Sequence, residues 1–142
     1  MHTIRSVLSR KDREVVSVSS TDTVLHAIRL MASQGIGALL VVDDGELVGL
    51  LSERDYARKV ILKGLRSDTT KVADIMSREL VTISPDHSAE QGLDLMTERF
   101  VRHLPVIEDG RLVGLVSIGD LVKWVIRDQK LAIEELERYV SS

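Results

Sequence analysis

The chain of 142 residues contains no cysteine. That removes disulfides, thiol nucleophiles and cysteine-ligated zinc together. Aromatic residues make up 3% of it: one Trp, two Tyr and one Phe. A core must therefore come from Val, Leu, Ile, Ala and Met, and the stacking platforms used on single-stranded nucleic acid are missing. The formal net charge of −3 gives no basic footprint, which argues against a nucleic-acid partner. Apolar runs such as Ile36 to Val42 fall far short of the roughly 20 residues that span a bilayer. The N-terminus carries charge but no apolar stretch resembling a signal peptide. A soluble, cytoplasmic protein with neither a membrane nor a nucleic-acid partner is expected.

Catalytic constellations are lacking too. His2, His26, His87 and His103 are scattered, without metal-ligand spacing. No Ser/His/Asp arrangement or Walker-type glycine loop occurs. Glu53 and Asp55 diverge on a helix, and Glu134, Glu135 and Glu137 form a solvated face. The expectation is no enzyme, no catalytic cofactor and no metal.

What is present is a repeat. Hydrophobic content of 44% and charged content of 29% suit a globular chain. Aligning Val16 with Val81 needs no gap until Ile61 meets Ile126, with about a third of positions identical, and such self-similarity has to be read before any element is assigned. Leu30-Met31 answers Leu95-Met96, Asp44-Gly45 answers Asp109-Gly110, and Leu47 to Leu50 answers Leu112 to Leu115. Upstream, Leu8-Ser9-Arg10 resembles Met76-Ser77-Arg78, and the first copy carries three extra residues within Lys11 to Val15.

Each copy reads as β-α-β-β-α. Val15 to Val18 is a short strand, Ser19 to Thr23 a turn with cap residues, and Val24 to Ser33 a helix with Val24, Ile28 and Met31 on one face. Ile36 to Val42 is a buried strand. Asp44-Gly45 makes a hairpin turn, Glu46 to Leu51 the partner strand, and Ser52 opens a helix to about Leu62. Repeats at 4–63 and 72–127, a linker at 64–71 and a C-terminal helix at 128–142 are expected. A unit of this size is marginal alone, so the two should pack sheet to sheet about a pseudo-twofold axis. His2 to Arg10 reads as a short helix. Lys130 to Val140 is amphipathic, its apolar stripe covered either by its own chain or by a dimer partner.

Both copies contain one motif, Gly49-Leu50-Leu51-Ser52-Glu53-Arg54-Asp55 and Gly114-Leu115-Val116-Ser117-Ile118-Gly119-Asp120. Strand, tight turn and helix start follow one another. Backbone N–H groups at a helix start attract anions, and the aspartate offers an acceptor pair for a sugar diol. Ser-x-x-Asp is equally the form of a capping box, in which the aspartate merely reaches back to the serine N–H. The two readings coexist for the serine and compete for the aspartate.

Ile75-Met76-Ser77, the strand-turn-strand runs Leu39 to Leu50 and Leu104 to Leu115, and the two Gly-x-x-Ser-x-x-Asp segments together resemble a tandem pair of cystathionine-β-synthase (CBS) domains, the Bateman module, of the stand-alone type. The resemblance covers about residues 4–127. It implies an α/β CBS-domain pair acting as a regulatory sensor. Such a pair binds AMP, ADP, ATP or NAD(H), sometimes S-adenosylmethionine, in clefts between the repeats, commonly as a homodimer of disc-like shape, and signals to a regulated partner. In the family pattern Asp55 and Asp120 accept from ribose hydroxyls, with Ser52 and Ser117 near phosphate. The adenine walls of the Asp120 site then come from Leu115, Val16, Ile36, Gly37 and Ala38, and those of the Asp55 site from Leu50, Val81, Val101, Arg102 and His103. All the aliphatic positions also read as ordinary core. A bare Gly37 lets a base approach the backbone.

Phosphate needs a cation. Arg54 in a helix first turn opposes the helix dipole, which makes sense beside an anion, and it ranks with Arg102 and Arg66, whereas Lys59 and Lys63 read as solvated. The repeats differ here, with Gly119 for Arg54 and Gly37-Ala38 for Arg102-His103. The two sites should be unequal, with Asp55 the stronger phosphate site. The alternative function is a nucleotide-independent interaction scaffold. An enzyme acting on an adenine dinucleotide lacks an acid, base or nucleophile.

Overall fold

The computed structural model describes residues 2–11 and 14–141. Asp12 and Arg13, within the stretch Lys11 to Val15 expected to hold three extra residues, and Ser142 of the expected C-terminal helix, lie outside the described residues. The chain divides into two compact units, Met1–Arg13 with Val81–Ser142, and Glu14–Leu80. No described helix is long and apolar enough to cross a membrane.

In the Glu14–Leu80 unit, β1 (Ser17–Val18), β2 (Ala38–Asp43) and β3 (Glu46–Ser52) form a sheet in the order β1-β2-β3. β1 runs parallel and β3 antiparallel to β2. Asp44 and Gly45 both adopt positive φ, the requirement of the type I′ hairpin turn. α2 (Val24–Gln34) starts at Thr23, whose hydroxyl accepts from His26 N–H, and ends at left-handed Gly35. Its Val24, Ala27 and Met31 pack on Leu39, Val41 and Leu51 of the sheet.

The helix after Ser52 is not regular throughout. α3 (Glu53–Tyr56) continues as a π turn over Ala57–Ile61. The wider turn buries Val60 and leaves Ile61 and Leu62 exposed. The expected linker is ordered against this unit: Val24 N–H donates to Thr70 O and Leu25 N–H to Ser67 O. The short helix α4 (Val72–Ile75) follows and adds Val72 and Ile75 to the same core.

The other unit repeats this plan with two changes. α5 (Ala89–Arg99) is capped by Ser88, with Gln91 completing a capping box, and β4 (His103–Glu108) pairs with β5 (Arg111–Ser117). The opening strand shrinks to a single parallel bridge, Ile83 to Val106. Proline explains this. In the first copy Leu40 N–H donates to Val16 O, but its counterpart Pro105 has no N–H to offer Val81. The last helix is also unbroken. α6 (Ile118–Ser141) runs for 24 residues without the boundary expected at 128, because no Gly or Pro interrupts Arg127-Asp128-Gln129.

The opening segments exchange places relative to the sequence repeats. α1 (Ile4–Ser9) packs with the second copy, where Ile4 and Val7 join Met96, Leu104, Val116 and Leu121 in the core. A six-residue helix does not hold by itself. Burying Ile4 and Val7 contributes roughly 2 kcal/mol each, and Ile4 N–H and Arg5 N–H donate to His87 O and Pro85 O. Trp124 of α6 closes this corner, with the His2 ring tilted against it at 4.6 Å and Arg10 over the ring at 4.8 Å.

Candidate functional site

Both motifs form the reciprocal capping box. Around Asp55, Oδ2 accepts from Ser52 N–H (2.9 Å) and Ser52 Oγ (3.1 Å), while Asp55 N–H donates to Ser52 Oγ (3.2 Å). Around Asp120, Oδ2 accepts from Ser117 N–H (2.8 Å), and Asp120 N–H donates to Ser117 Oγ (3.1 Å). The first helical N–H is met by the residue that opens the neighbouring strand's approach: Glu53 N–H donates to Gly37 O and Ile118 N–H to Arg102 O. Antiparallel pairing causes this, because Ala38 lies opposite Ser52, and His103 opposite Ser117.

Each aspartate also holds a lysine: Lys59, which the sequence ranks below Arg54 as a solvated helix cation, and Lys11, to which it assigns no role. Lys59 Nζ lies 3.1 Å from Asp55 Oδ1 and donates to Ile75 O (2.9 Å). It is engaged rather than solvated, and its place four residues after Asp55 was the available signal. Lys11 Nζ donates to Asp120 Oδ2 and to Leu115 O, both at 2.8 Å. Lys11 falls in the stretch Lys11 to Val15 where the repeat alignment carries three extra residues, so self-similarity gives it no fixed counterpart.

The two carboxylates are thereby left in different states. Asp55 uses Oδ2 for the cap and Oδ1 for Lys59. Asp120 takes cap and lysine on Oδ2 alone. Burial raises the Asp120 carboxyl, but hydrogen bonds from Lys11 and Ser117 and the lysine charge outweigh it, holding it below the usual carboxylate value. His103 stands in the same field. Burial lowers its pKa, Asp120 pulls it up, Lys11 and Arg102 push it down, and the net shift is downward.

The remaining candidates divide between the units. Beside Asp55 the structure places half-buried Leu50, exposed Arg54, Ala38 at the start of β2 and Gly37 just before it. Val16 and Ile36 pack against that unit's core. A Cβ on Gly37 would meet only Glu53 Cδ, at 4.0 Å, so packing does not demand a glycine there. Arg66 is committed to Asp68 through two hydrogen bonds, 3.0 and 2.7 Å. Beside Asp120 stand Ser117, Leu115, Lys11, His103 and the backbone of exposed Arg102, while Val81 and Val101 pack on the core. Within this unit Lys11 and His103 thus gather at Asp120, with Arg102 next to His103 in the chain, at the turn that the sequence ranks second. A separate groove of about 830 Å³ lies in this unit, lined by Asp86, Asp94, Glu98, Glu108 and Asp109 among others. Its acidity does not suit a phosphate, and it includes no residue of the turn. Among the described residues no cluster of His, Asp or Glu could hold a metal ion.

The CBS domain family matches residues 4–62 and 72–127, and the chain belongs to it. The mitochondrial CBS domain-containing protein CBSX3 of Arabidopsis thaliana is 41% identical over 127 residues, covering 86% of this chain. The match spans 62% of that protein's length. The structure of a protein with CBS domains from Burkholderia ambifaria MC40-6 is 48% identical, covers 89% of this chain and 96% of its own, and superposes with a TM-score of 0.86. The CBS domain pair of protein MJ0100, solved with 5′-methylthioadenosine and S-adenosyl-L-methionine, shares the fold at 21% identity and a TM-score of 0.78, over 90% of this chain and 98% of its own. The chain is thus an α/β pair of CBS repeats, a regulatory type of module.

Proposed function

We propose that this chain is a regulatory sensor of an adenine nucleotide, AMP, ADP, ATP or NAD(H) in class, and that it passes ligand state to a partner protein as a homodimer. The ribose diol is accepted at the Ser-x-x-Asp turns and the phosphates lie toward the basic side chains beside them. The observation that carries this is Asp120. Its Oδ1 lies outside the bonds that Ser117 and Lys11 make to Oδ2, so the helix cap and the lysine leave one oxygen of a half-buried carboxylate for a sugar hydroxyl. Ser117 N–H and Lys11 supply the positive field that keeps the group ionised and fit to accept hydroxyls. Asp55, with both oxygens engaged, is the weaker acceptor. A bound nucleotide shifts the protein's conformations only by its difference in affinity between them.

Calorimetric titration with AMP, ATP, NAD⁺ and NADH tests this. Binding by at least one of them is expected, with a loss of about tenfold or more in Asp120→Ala, the scale of one charge-assisted hydrogen bond, and a smaller loss in Asp55→Ala. Absence of binding by every adenosine ligand at millimolar concentration would overturn it.

A further inference from the structure

α6 continues far beyond the core that holds its start. Leu121 and Trp124 are its buried residues, and every described residue from Gln129 onward is exposed. Along the exposed part, Val122, Ile126, Gln129, Ile133, Leu136 and Val140 follow one another at intervals of four, three, four, three and four. That is the heptad spacing of a coiled-coil seam, with β-branched Ile126, Ile133 and Val140 at one core position and Val122, Gln129 and Leu136 at the other. Ile133, Leu136 and Val140 are 57%, 63% and 78% exposed.

We propose that this seam is the surface on which a second copy of the chain docks, α6 against α6, as an antiparallel two-stranded coiled coil. Three observations select a second copy. The seam is self-complementary: in an antiparallel pair Val122 meets the second copy's Val140, Ile126 its Leu136 and Gln129 its Ile133. Charge favours the same arrangement on balance: Lys123 on one flank lies beside the second copy's Glu137, twice over by symmetry, against a single meeting of Lys130 with the second copy's Lys130 at the twofold axis, whereas a parallel pair would set Lys130 beside Val125 and Glu137 beside Ala132. The area suffices: the five apolar seam residues expose roughly 500 Å² per helix, so a pair buries roughly 1,000 Å², the size at which specific interfaces begin. Leu131, also exposed, lies on the opposite side of the helix and takes no part. This names the surface of the homodimer read above and is independent of nucleotide binding, which calorimetry tests separately.

Sedimentation equilibrium on the full chain decides it. Wild type should have the mass of at least two chains, and Ile133→Glu with Leu136→Glu should halve that mass. Leu131→Glu, with the same added charge on the far side, should leave it unchanged. Thermal unfolding monitors the fold in each variant: both should unfold cooperatively, Leu131→Glu with the wild type and the seam variant at a lower temperature that no longer depends on concentration, because it loses the stabilisation that association gives. Lys123→Glu and Glu137→Lys should each weaken association, and the double reversal should restore it. A monomeric wild type, a folded seam variant of unchanged mass, or equal effects from Leu131→Glu would overturn the proposal. Failure of the double reversal to restore association would overturn the antiparallel pairing.

Discussion

The Lys11 ammonium donates to Asp120 Oδ2 and to Leu115 O at the same distance, 2.8 Å. In the other unit Lys59 does the equivalent with Asp55 and Ile75 O, at 3.1 and 2.9 Å. The two lysines come from unrelated places. Lys59 is part of the helix that Asp55 begins, and its counterpart in the second copy is Trp124. Lys11 follows α1. A half-buried carboxylate needs a compensating partner, and the two copies meet that need by different routes.

Removing Lys11 should therefore disturb one turn and spare the other. Lys11→Met keeps the aliphatic stem and deletes the charge. A loss of about 1 kcal/mol is expected for a pair exposed by about a quarter on each side. The Asp120 pKa should rise, because burial then acts with less opposition, and the acid limb of unfolding should move to higher pH. Anionic nucleotides should bind more weakly than to wild type, and free adenosine should lose less. Thermal melts across pH and paired titrations with AMP and adenosine check all three.

Acid should act on the same unit through His103. Its pKa lies below the ordinary value of 6.5, with burial as the first cause. The unfolded chain therefore binds this proton first, and stability falls as pH drops from about 6.5 toward the lower folded value. Asp120 has the opposite chemistry and the same consequence. Its depressed pKa gives stability present above 3.8, lost as pH falls through the folded value. Stability should be flat at neutral pH and decline in two stages on acidification. His103→Gln should remove the upper stage alone, measured as the denaturation midpoint at pH steps from 7.5 down to about 2, which spans the Asp120 stage below 3.8 as well.

Much of this was legible because it is local. The Asp44-Gly45 turn, the Thr23 and Ser88 caps and both Ser-x-x-Asp boxes are each set within four residues, and repetition at a fixed offset located the second copy of each. What escaped depends on distant partners. Nothing near Lys11 in the sequence says that it reaches Asp120. Nothing in α1 says that it belongs with the second copy, since Ile4 and Val7 would satisfy either core. Within their own unit, strand pairing sets His103 opposite Ser117 and so beside Asp120, a neighbourhood that the local sequence around Arg102-His103 does not announce. Pro105 was a readable signal, because a strand whose neighbour lacks an N–H must shorten there.

The exchange of opening segments rests on a contact the alignment already contains. Leu8 and Met76 are equivalent, and each packs on the motif glycine of the unit it joins. A Cβ on Gly114 would lie 2.6 Å from Leu8 Cδ2, and one on Gly49 2.6 Å from Met76 Sδ and 3.1 Å from Ser77 O. Gly114→Ala should cost about 1–3 kcal/mol through overpacking. Leu8→Ala in the same chain should recover part of that loss, giving a coupling energy above about 0.5 kcal/mol in the double-mutant cycle. Additive effects would show that Leu8 does not meet Gly114. The cycle is read from denaturant midpoints at constant slope.

Phe100 ends α5 in the left-handed region, with φ of 55°. The first copy places Gly35 at this point, φ 64°. A bulky side chain is strained there, because its Cβ crowds the following carbonyl. Packing does not compensate, since Phe100 is 92% exposed. Replacing it should therefore help the isolated chain. Phe100→Gly is expected to stabilise by about 1 kcal/mol, by the left-handed penalty it relieves less the added chain entropy of glycine. Phe100→Ala keeps the Cβ and should give much less. If the two variants were equal, exposed apolar surface rather than backbone strain would be the cause. Chemical denaturation separates them, because relief of strain in the folded state shifts the midpoint and leaves the slope unchanged.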